Sequence, residues 1–488
     1  MPEPQSNATP KSLADLRQRL GRALTEVSPV ALDLGHRFAA VGRELALVGG
    51  PVRDAALGRT VADLDLTTDA PPQQVMELLA DWADALWDVG VAFGTVGVRR
   101  GDVQVEITTY RSESYDVDSR KPAVAFGASL AGDLGRRDFT VNSMAVRLPD
   151  LVFVDPYGGL IDLAAGRLRT PNSPAESFSD DPLRMMRAAR FVSQLEFSVD
   201  DEVVAAMTAM ADRVDIVSAE RVRDELTKLV LGRNPRGGLE LLVSTGLADR
   251  VLPELPKLRL EIDEHHRHKD VFEHSLTVLD QAVDLESGHE PSSGPDLVLR
   301  LAALLHDIGK PRTRRFEGDG RVSFHHHEVV GAAMVRKRLR ALRFSSHEVE
   351  AIGDLVELHL RFHGYGTGEW TDSAVRRYVR DAGPLLSRLH KLTRADCTTR
   401  NRRKATTLAR TYDHLEERIA KLSAEEELAA IRPTLDGNAI MRILDLPPGP
   451  MIGKAYRYLL EVRLDDGPLS EPDARRMLLD WWANNQPG

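Results

Sequence analysis

Two hydrophobic rhythms divide the chain. Between residues 45 and 154, short apolar runs alternate with turn residues: LALVGG and DLDLTT within 45–69, GTVGVRRGDVQVEITTYR at 94–111, and a further run at 143–154. Alternation of apolar and polar positions predicts strands joined by tight turns. Between them PPQQVMELLADWADAL carries a helical period, and its prolines suit a first helical turn. From about residue 175 the helical period is almost continuous, with loops predicted at 232–237, 286–296, 316–323 and 446–450. The apolar run after Asp138 in DLGRRDFTVNSMA (133–145) also reads as helix. Asp181 followed by Pro182 reads as an N-cap and first helical position. The pattern predicts a mixed α and β first third followed by an all-α remainder.

Composition narrows the class. At 488 residues the chain exceeds what one hydrophobic core supports, so several domains are expected. One cysteine, Cys397, excludes an internal disulfide and fits a reducing compartment. The N-terminal MPEPQSNATPKS has no apolar core and reads as a short tail, and no stretch approaches the ~18 apolar residues of a membrane helix. A cytoplasmic enzyme with no membrane partner is expected. The formal net charge of −10 says little against a nucleic-acid substrate, because phosphate binding depends on local charge. Basic clusters stand at 312–315 (RTRR), 336–343 (RKRLRALR) and 400–404 (RNRRK); each by itself reads first as a solvated helix face.

The densest chemistry is LVGGPVRDAALGRTVADLDLTTD at 47–69. Asp63 and Asp65 are one residue apart in a strand-like segment, which sends both carboxylates to one face, roughly 6.6 Å apart along the chain. Carboxylates so placed can share a pair of Mg²⁺ ions ~4 Å apart that activate a 3′-hydroxyl and stabilise a leaving pyrophosphate. Gly49 and Gly50 let backbone N–H groups approach a triphosphate, and Arg53 can pair with it. In VQVEITTY, Val103, Val105 and Ile107 share one face. Glu106 lies on the other, either as a third metal carboxylate or as an ordinary exposed strand residue.

Two arginine–aspartate groups follow. Arg136, Arg137 and Asp138 suit triphosphate or ribose contacts, and Asn142 can hydrogen-bond or cap. In SDDPLRMMRAARF (179–191), Asp181 and Arg184 lie three apart, with Arg187 one turn further. The plain reading is an i,i+3 surface ion pair. The chemical one is a base reader. A carboxylate accepts from the exocyclic amine of cytosine or adenine, and a guanidinium donates to the neighbouring ring acceptor. Uracil and guanine present a carbonyl there and are rejected.

In order, GGPVRD…DLD, EITTYR, DLGRRDFTVNSMA, DPYGGLIDLAAGRLRT (155–170), DDPLRMMRAARF and SAERVRDELTKLVLG (218–232) resemble the class II CCA-adding enzymes and bacterial poly(A) polymerases of the DNA polymerase β superfamily. The resemblance implies Asp63 and Asp65 as metal-binding aspartates and Gly50 and Arg53 as the phosphate loop. It implies Arg137 and Asp138 as nucleotide contacts, and Asp181, Arg184 and Arg187 as the base-reading helix. One departure is Asp180-Asp181, where the family usually has Glu-Asp. The implied activity is template-independent addition of CMP and AMP from CTP and ATP to tRNA. The alternative is poly(A) addition to RNA 3′ ends, and addition of CC alone or of the last A alone stays open.

The second half supplies His274, the His306–Asp307 doublet in HDIGKP, His327, His359 and Asp396. Imidazoles with carboxylates suit a divalent transition metal. The blocks resemble the HD metal-dependent phosphohydrolases. That resemblance implies one ion on His274, His306, Asp307 and Asp396, with His327 and His359 holding a second ion or substrate phosphate. A further alternative makes the head a degenerate RNA-binding module serving such a hydrolase. The C-terminal stretch at 435–467 resembles the terminal helical region of HD-containing CCA-adding enzymes. The expected organisation is an α+β chain: a tail (1–27), a small mixed nucleotidyltransferase head (28–170), a helical neck (171–256), an HD domain (257–405) and a helical tail (406–488).

Overall fold

The structure, a computed structural model, describes residues 12–25, 28–59, 64–90, 94–114, 123–126, 129–259, 270–318, 322–364, 370–399, 401–426 and 431–486. Asp63 and the first eleven residues lie outside them. The chain forms two compact units, Met1–Pro256 and Lys257–Gly488.

The first unit is built on a seven-stranded sheet. Its strands are β1 (Leu45–Val48), β2 (Leu64–Thr68), β3 (Ala85–Gly90), β4 (Thr95–Arg100), β5 (Val103–Thr109), β8 (Ala145–Leu148) and β9 (Val152–Val154). A separate hairpin holds β6 (Arg111–Ser114) and β7 (Ala123–Phe126). The sheet order is β3-β4-β5-β2-β1-β8-β9; β2 and β5 run parallel and every other neighbouring pair is antiparallel. Along β5, Val105, Ile107 and Thr109 are buried and Gln104 and Glu106 exposed, as a period of two requires of a half-covered sheet.

The segment expected to continue as helix after Asp138 does not. It makes one 3-10 turn at Thr140–Asn142 and then enters β8, whose register with β1 buries Val146 and Leu148. Thr140, Val141 and Val146 are β-branched and lose rotamer freedom in a helix, while a pleated surface accommodates them. The helix Leu13–Thr25 packs Leu16 and Leu20 inward and ties to the head through Arg19, which donates to the Leu57 carbonyl.

Helices complete this unit, among them Pro174–Asp180, Leu183–Leu195 and Ala219–Val230. The parallel pair β10 (Arg167–Leu168) and β11 (Ser198–Val199) links head to neck. Asp181 takes the N-cap place expected from sequence. Its backbone is extended (φ −144°, ψ 100°) after the helix Pro174–Asp180, its carboxylate accepts the Leu183 N–H at 3.1 Å, and Pro182 (φ −60°, ψ −21°) is the first helical position.

The second unit is helical: Val271–Gly288, Leu297–Leu305, His327–Ala341, Ser346–Leu358 and Leu386–Ala395 surround one core. The long helix Arg402–Glu426 leads to Gly437–Leu444, Pro450–Asp466 and Glu471–Asn485, which share a small core of Leu435, Ile440, Leu459 and Leu478. The predicted 286–296 loop starts later than expected, after Gly288. Glu286 stays helical because its buried carboxylate takes both Arg300 nitrogens at 2.7 Å and the Asp296 N–H at 2.9 Å. The predicted 316–323 loop is a small hairpin of β12 (Arg315–Phe316) and β13 (Val322–Ser323).

Candidate active site and metal centre

In the head, the parallel register sets Asp65 directly beside Glu106. Side chains opposite one another on neighbouring strands stand about 5 Å apart on the same face. Two carboxylates held at that spacing repel unless a cation lies between them, so the pair fits a divalent ion. Asp63, expected to complete it, lies outside the described residues.

The glycine loop is next to this face. Gly49 has φ +74°, open to a residue without Cβ, and caps the helix Gly50–Leu57. A Cβ there would stand 2.9 Å from Arg137 Nη1, so the loop and the Arg137 guanidinium are in contact. Arg53, four residues on, is clamped by its neighbour Asp54 (2.8 and 3.0 Å) and donates to Asn142 Oδ1 at 2.7 Å. Asn142 in turn donates to Asp138 Oδ1 at 2.9 Å, and Arg187 Nη2 lies 2.7 Å from Asp138 Oδ2. The structure thus joins Arg53, Asn142, Asp138 and Arg187 into one chain of polar contacts, and Arg137 lies against the Gly49 loop beside it. Burial pushes the Asp138 carboxyl up, but Arg187, Asn142 and Arg190 outweigh it and hold the group below the usual range.

Asp133, which the sequence did not single out, organises the basic pair. It is buried, takes Arg136 Nε and Nη2 at 2.9 and 2.7 Å, and receives Arg137 at 3.4 Å and the Thr67 hydroxyl at 3.2 Å. Burial raises its carboxyl and the two arginines overcome this, leaving it lowered. Its signal was there: DLGRR places the acid three and four residues before the two arginines on a helical turn.

The Asp181–Arg184 ion pair expected from spacing does not form. Because Asp181 precedes the helix, Arg184 turns inward and donates to the Ser177 carbonyl and hydroxyl (3.2 and 2.8 Å) and to the Arg136 carbonyl. Asp181 instead pairs with Arg221 at 2.9 Å and accepts the Leu183 N–H at 3.1 Å.

In the second unit all six singled-out residues meet. Four imidazoles are oriented through Nδ1: His306 to Ala303 O (2.9 Å), His327 to Phe324 O (2.8 Å), His359 to Val356 O (2.6 Å) and His274 to Thr398 Oγ1 (3.2 Å). In the neutral ring a carbonyl at Nδ1 fixes the proton there, as for His306, His327 and His359, so that Nε2 is the nitrogen a cation would take in place of a proton. The Nε2 atoms converge. His274 Nε2 is 3.3 Å from His306 Nε2 and 3.0 Å from Asp396 Oδ1, and His306 Nε2 is 3.2 Å from Asp307 Oδ2.

Asp307 Oδ2 stands 3.2 Å from His306 Nε2 and 3.5 Å from His274 Nε2, as the expected set of His274, His306, Asp307 and Asp396 requires. Donor atoms gather as His274, His306 and Asp396 and as Asp307, His327 and His359. Asp307 spans the two trios, Oδ2 facing His306 and Oδ1 standing 3.3 Å from His327 Nε2. Close approach of backbones makes this possible: a Cβ on Gly309 would meet the His327 carbonyl at 2.1 Å. The site fits a divalent metal. His359 Nε2 is buried with no hydrogen-bond partner, and burial together with His306 pushes that imidazole down to about 3. Burial also disfavours charge on His306, but Asp307 and Asp396 prevail and raise it to about 9. Lys310 Nζ, 2.9 Å from Asp307 Oδ2, is a neighbour that the sequence reading did not pick out.

Comparison with known proteins gives three family matches: "Poly A polymerase head domain" over residues 45–169, "Probable RNA and SrmB- binding site of polymerase A" over 196–258, and "HD domain" over 271–401. An A-adding tRNA nucleotidyltransferase from Deinococcus radiodurans is 34% identical over 449 residues, covering 91% of this chain and 96% of that protein. A CCA-adding enzyme from Levilactobacillus brevis is 42% identical over 207 residues, 42% of this chain and 51% of that protein. Among solved structures, the Bacillus stearothermophilus CCA-adding enzyme with CTP superposes with a TM-score of 0.68 at 24% identity, over 93% of this chain and 97% of that one. The Thermotoga maritima CCA-adding enzyme complexed with tRNA gives 0.60 at 18% identity, over 95% and 98%. No helix among the described residues is long and apolar enough to cross a membrane.

Proposed function

The chain belongs to the tRNA nucleotidyltransferase family, and from that premise we propose that it extends the 3′ end of tRNA in the cytoplasm. It does so without a template, from CTP and ATP, releasing pyrophosphate. The observation that carries the chemistry is the register of Asp65 with Glu106 beside the Gly49–Arg53 loop.

Asp65 and Glu106, with Asp63, hold Mg²⁺. Bound there, the ion supplies Lewis acidity to the attacking 3′-hydroxyl and to the departing pyrophosphate. The Gly50 N–H and the guanidinium of Arg137 take the triphosphate, while the Gly49 N–H stays on the Met144 carbonyl and fixes the loop. Asn142 and Asp54 hold Arg53 at that loop, so its orientation costs little when substrate arrives. Asp138 orients Arg187 and Asn142.

Asp181 accepts the exocyclic amine of cytosine or adenine while keeping its bonds to Arg221 and the Leu183 N–H, since each carboxylate oxygen has a second lone pair. Arg184 donates to the ring acceptor after exchanging one of its bonds to Ser177 or Arg136.

The range of products has a second reading. The D. radiodurans relative, aligned over nearly its whole length, is an A-adding tRNA nucleotidyltransferase, whereas the alignment to the L. brevis CCA-adding enzyme spans about half of that protein. Purified protein, tRNA transcripts ending before CCA or after CC, and each NTP singly and in pairs separate the readings. Complete CCA on the shorter transcript is expected. Extension only of the CC-ended transcript by ATP would replace this with A addition, and a long A tail would make the enzyme a poly(A) polymerase.

For the second unit the convergence of Nε2 atoms supports a phosphohydrolase. His274, His306 and Asp396, bridged by Asp307 to His327 and His359, would hold divalent transition metal. An ion there supplies an activated water for attack on a phosphoester. Metal content of protein reconstituted after EDTA tests the binding. Absence of hydrolysis of any phosphoester by the loaded protein would remove the hydrolytic role.

A further inference from the structure

The chain leaves the six-residue cluster at Lys310 and re-enters it at His327, and between these points it forms the β12–β13 hairpin. Both ends are anchored to the cluster. Lys310 Nζ touches Asp307 Oδ2 at 2.9 Å, and the Phe324 carbonyl holds His327 Nδ1 at 2.8 Å. The Phe324 ring lies 5.6 Å from Lys310 Nζ, closing the base of the hairpin. Val322 and Phe324 are buried beneath it.

Phe316 pairs with Val322 across the hairpin yet is 69% exposed, more than any other large hydrophobic side chain among the described residues. The Arg314 guanidinium lies over one face of its ring, 4.7 Å from the centroid; Arg312 is exposed four residues before it, and exposed Arg315 faces the other side of the strand. Among the described residues, Arg312, Arg314 and Arg315 have no ion-pair partner. An aromatic ring left in water and backed by a guanidinium matches the stacking platforms that hold unpaired bases. A partner protein would have to match an isolated ring among positive charges, whereas a nucleotide brings a flat π-face and an anionic phosphate together.

We propose that this hairpin is a nucleotide-binding subsite of the second unit. The base of a nucleotide or of an unpaired RNA end stacks on Phe316, and Arg314 and Arg312 draw its phosphoester toward Lys310 and the cluster. The inference rests on the reading of that cluster as a phosphoester site, and its test lets the two fail separately.

The test is equilibrium dialysis of the full chain against adenosine 3′-monophosphate and against base-free ribose phosphate, with binding to the head taken as the part that wild type and Phe316→Ala share. Wild type should bind the nucleotide about tenfold more tightly than the sugar phosphate, the scale of one base–aromatic stack. Phe316→Ala should erase that advantage, Phe316→Trp should keep it, and Arg312→Ala should weaken both ligands. Phe316 has little to bury, so unchanged thermal melting of its variants is expected. Equal affinity of wild type for both ligands, or an unaltered Phe316→Ala, overturns the proposal. Nucleotide preference in a protein that hydrolyses nothing removes the hydrolase and keeps the subsite. Hydrolysis of p-nitrophenyl phosphate with no preference for a base does the reverse.

Discussion

Asp133→Asn is the most informative single change in the head, because one buried carboxylate there serves two arginines and a threonine. Asparagine keeps the shape and removes the charge. One of its two terminal atoms becomes an N–H donor facing either the Arg136 fork at 2.7 and 2.9 Å or the Arg137 and Thr67 donors at 3.4 and 3.2 Å. Removing one partner of a buried ion pair costs about 3–5 kcal/mol. Both arginines here are about one-fifth exposed and partly rescued by water, so the lower figure, about 3 kcal/mol, is expected. For a unit of this size that shifts Tm by roughly 6–12 °C. Arg137, which touches the Gly49 loop, also loses its anchor. The proposed triphosphate contact should then weaken by one charge-assisted hydrogen bond, about 1.5–3 kcal/mol, or at least a tenfold rise in KM for CTP. Calorimetry and single-nucleotide incorporation measure the two effects. A variant with unchanged Tm and unchanged KM would refute the reasoning; lost stability with normal KM would leave Asp133 structural and remove Arg137 from the triphosphate.

Asp65→Ala, Glu106→Gln and Asp63→Ala should each lower incorporation at least a hundredfold while filter binding of tRNA stays within about twofold, the scale expected when transition-state charge stabilisation is lost; unchanged incorporation by Asp65→Ala defeats the assignment. Asp181→Ala should admit UTP relative to CTP while moving triphosphate affinity little, and equal exclusion of UTP counts against the base-reading role. His390, packed among Glu416, the Tyr378 ring, His289 and Arg394, is pushed down to about 4 by burial. Its depressed folded value means the second unit is fully stable above the unfolded value near 6.5 and loses stability as pH falls toward 4, by about 3 kcal/mol at most. Urea unfolding at pH 7 and 5 should therefore show a smaller acid loss in His390→Phe than in wild type; equal losses would contradict the assignment.

What the sequence determined was whatever depends on short range. Alternation in VQVEITTY and the helical period after residue 175 follow from which side chains must leave water, and motif chemistry follows from residue type and local spacing. The turn after Asp138 misread as helix is a local error where β-branched residues outweighed the pattern, whereas the helix start at Asp181-Pro182 was legible because capping depends on the two residues themselves. Distance in the chain is what the pattern cannot encode. Asp65 meets Glu106 only because β2 and β5 run parallel, Asp181 finds Arg221 rather than Arg184 only because two helices pack, and Asp307 bridges two histidine trios only because Gly309 lets backbones touch. Partners forty residues apart are chosen by packing of the whole core, and so only the tertiary structure decides them.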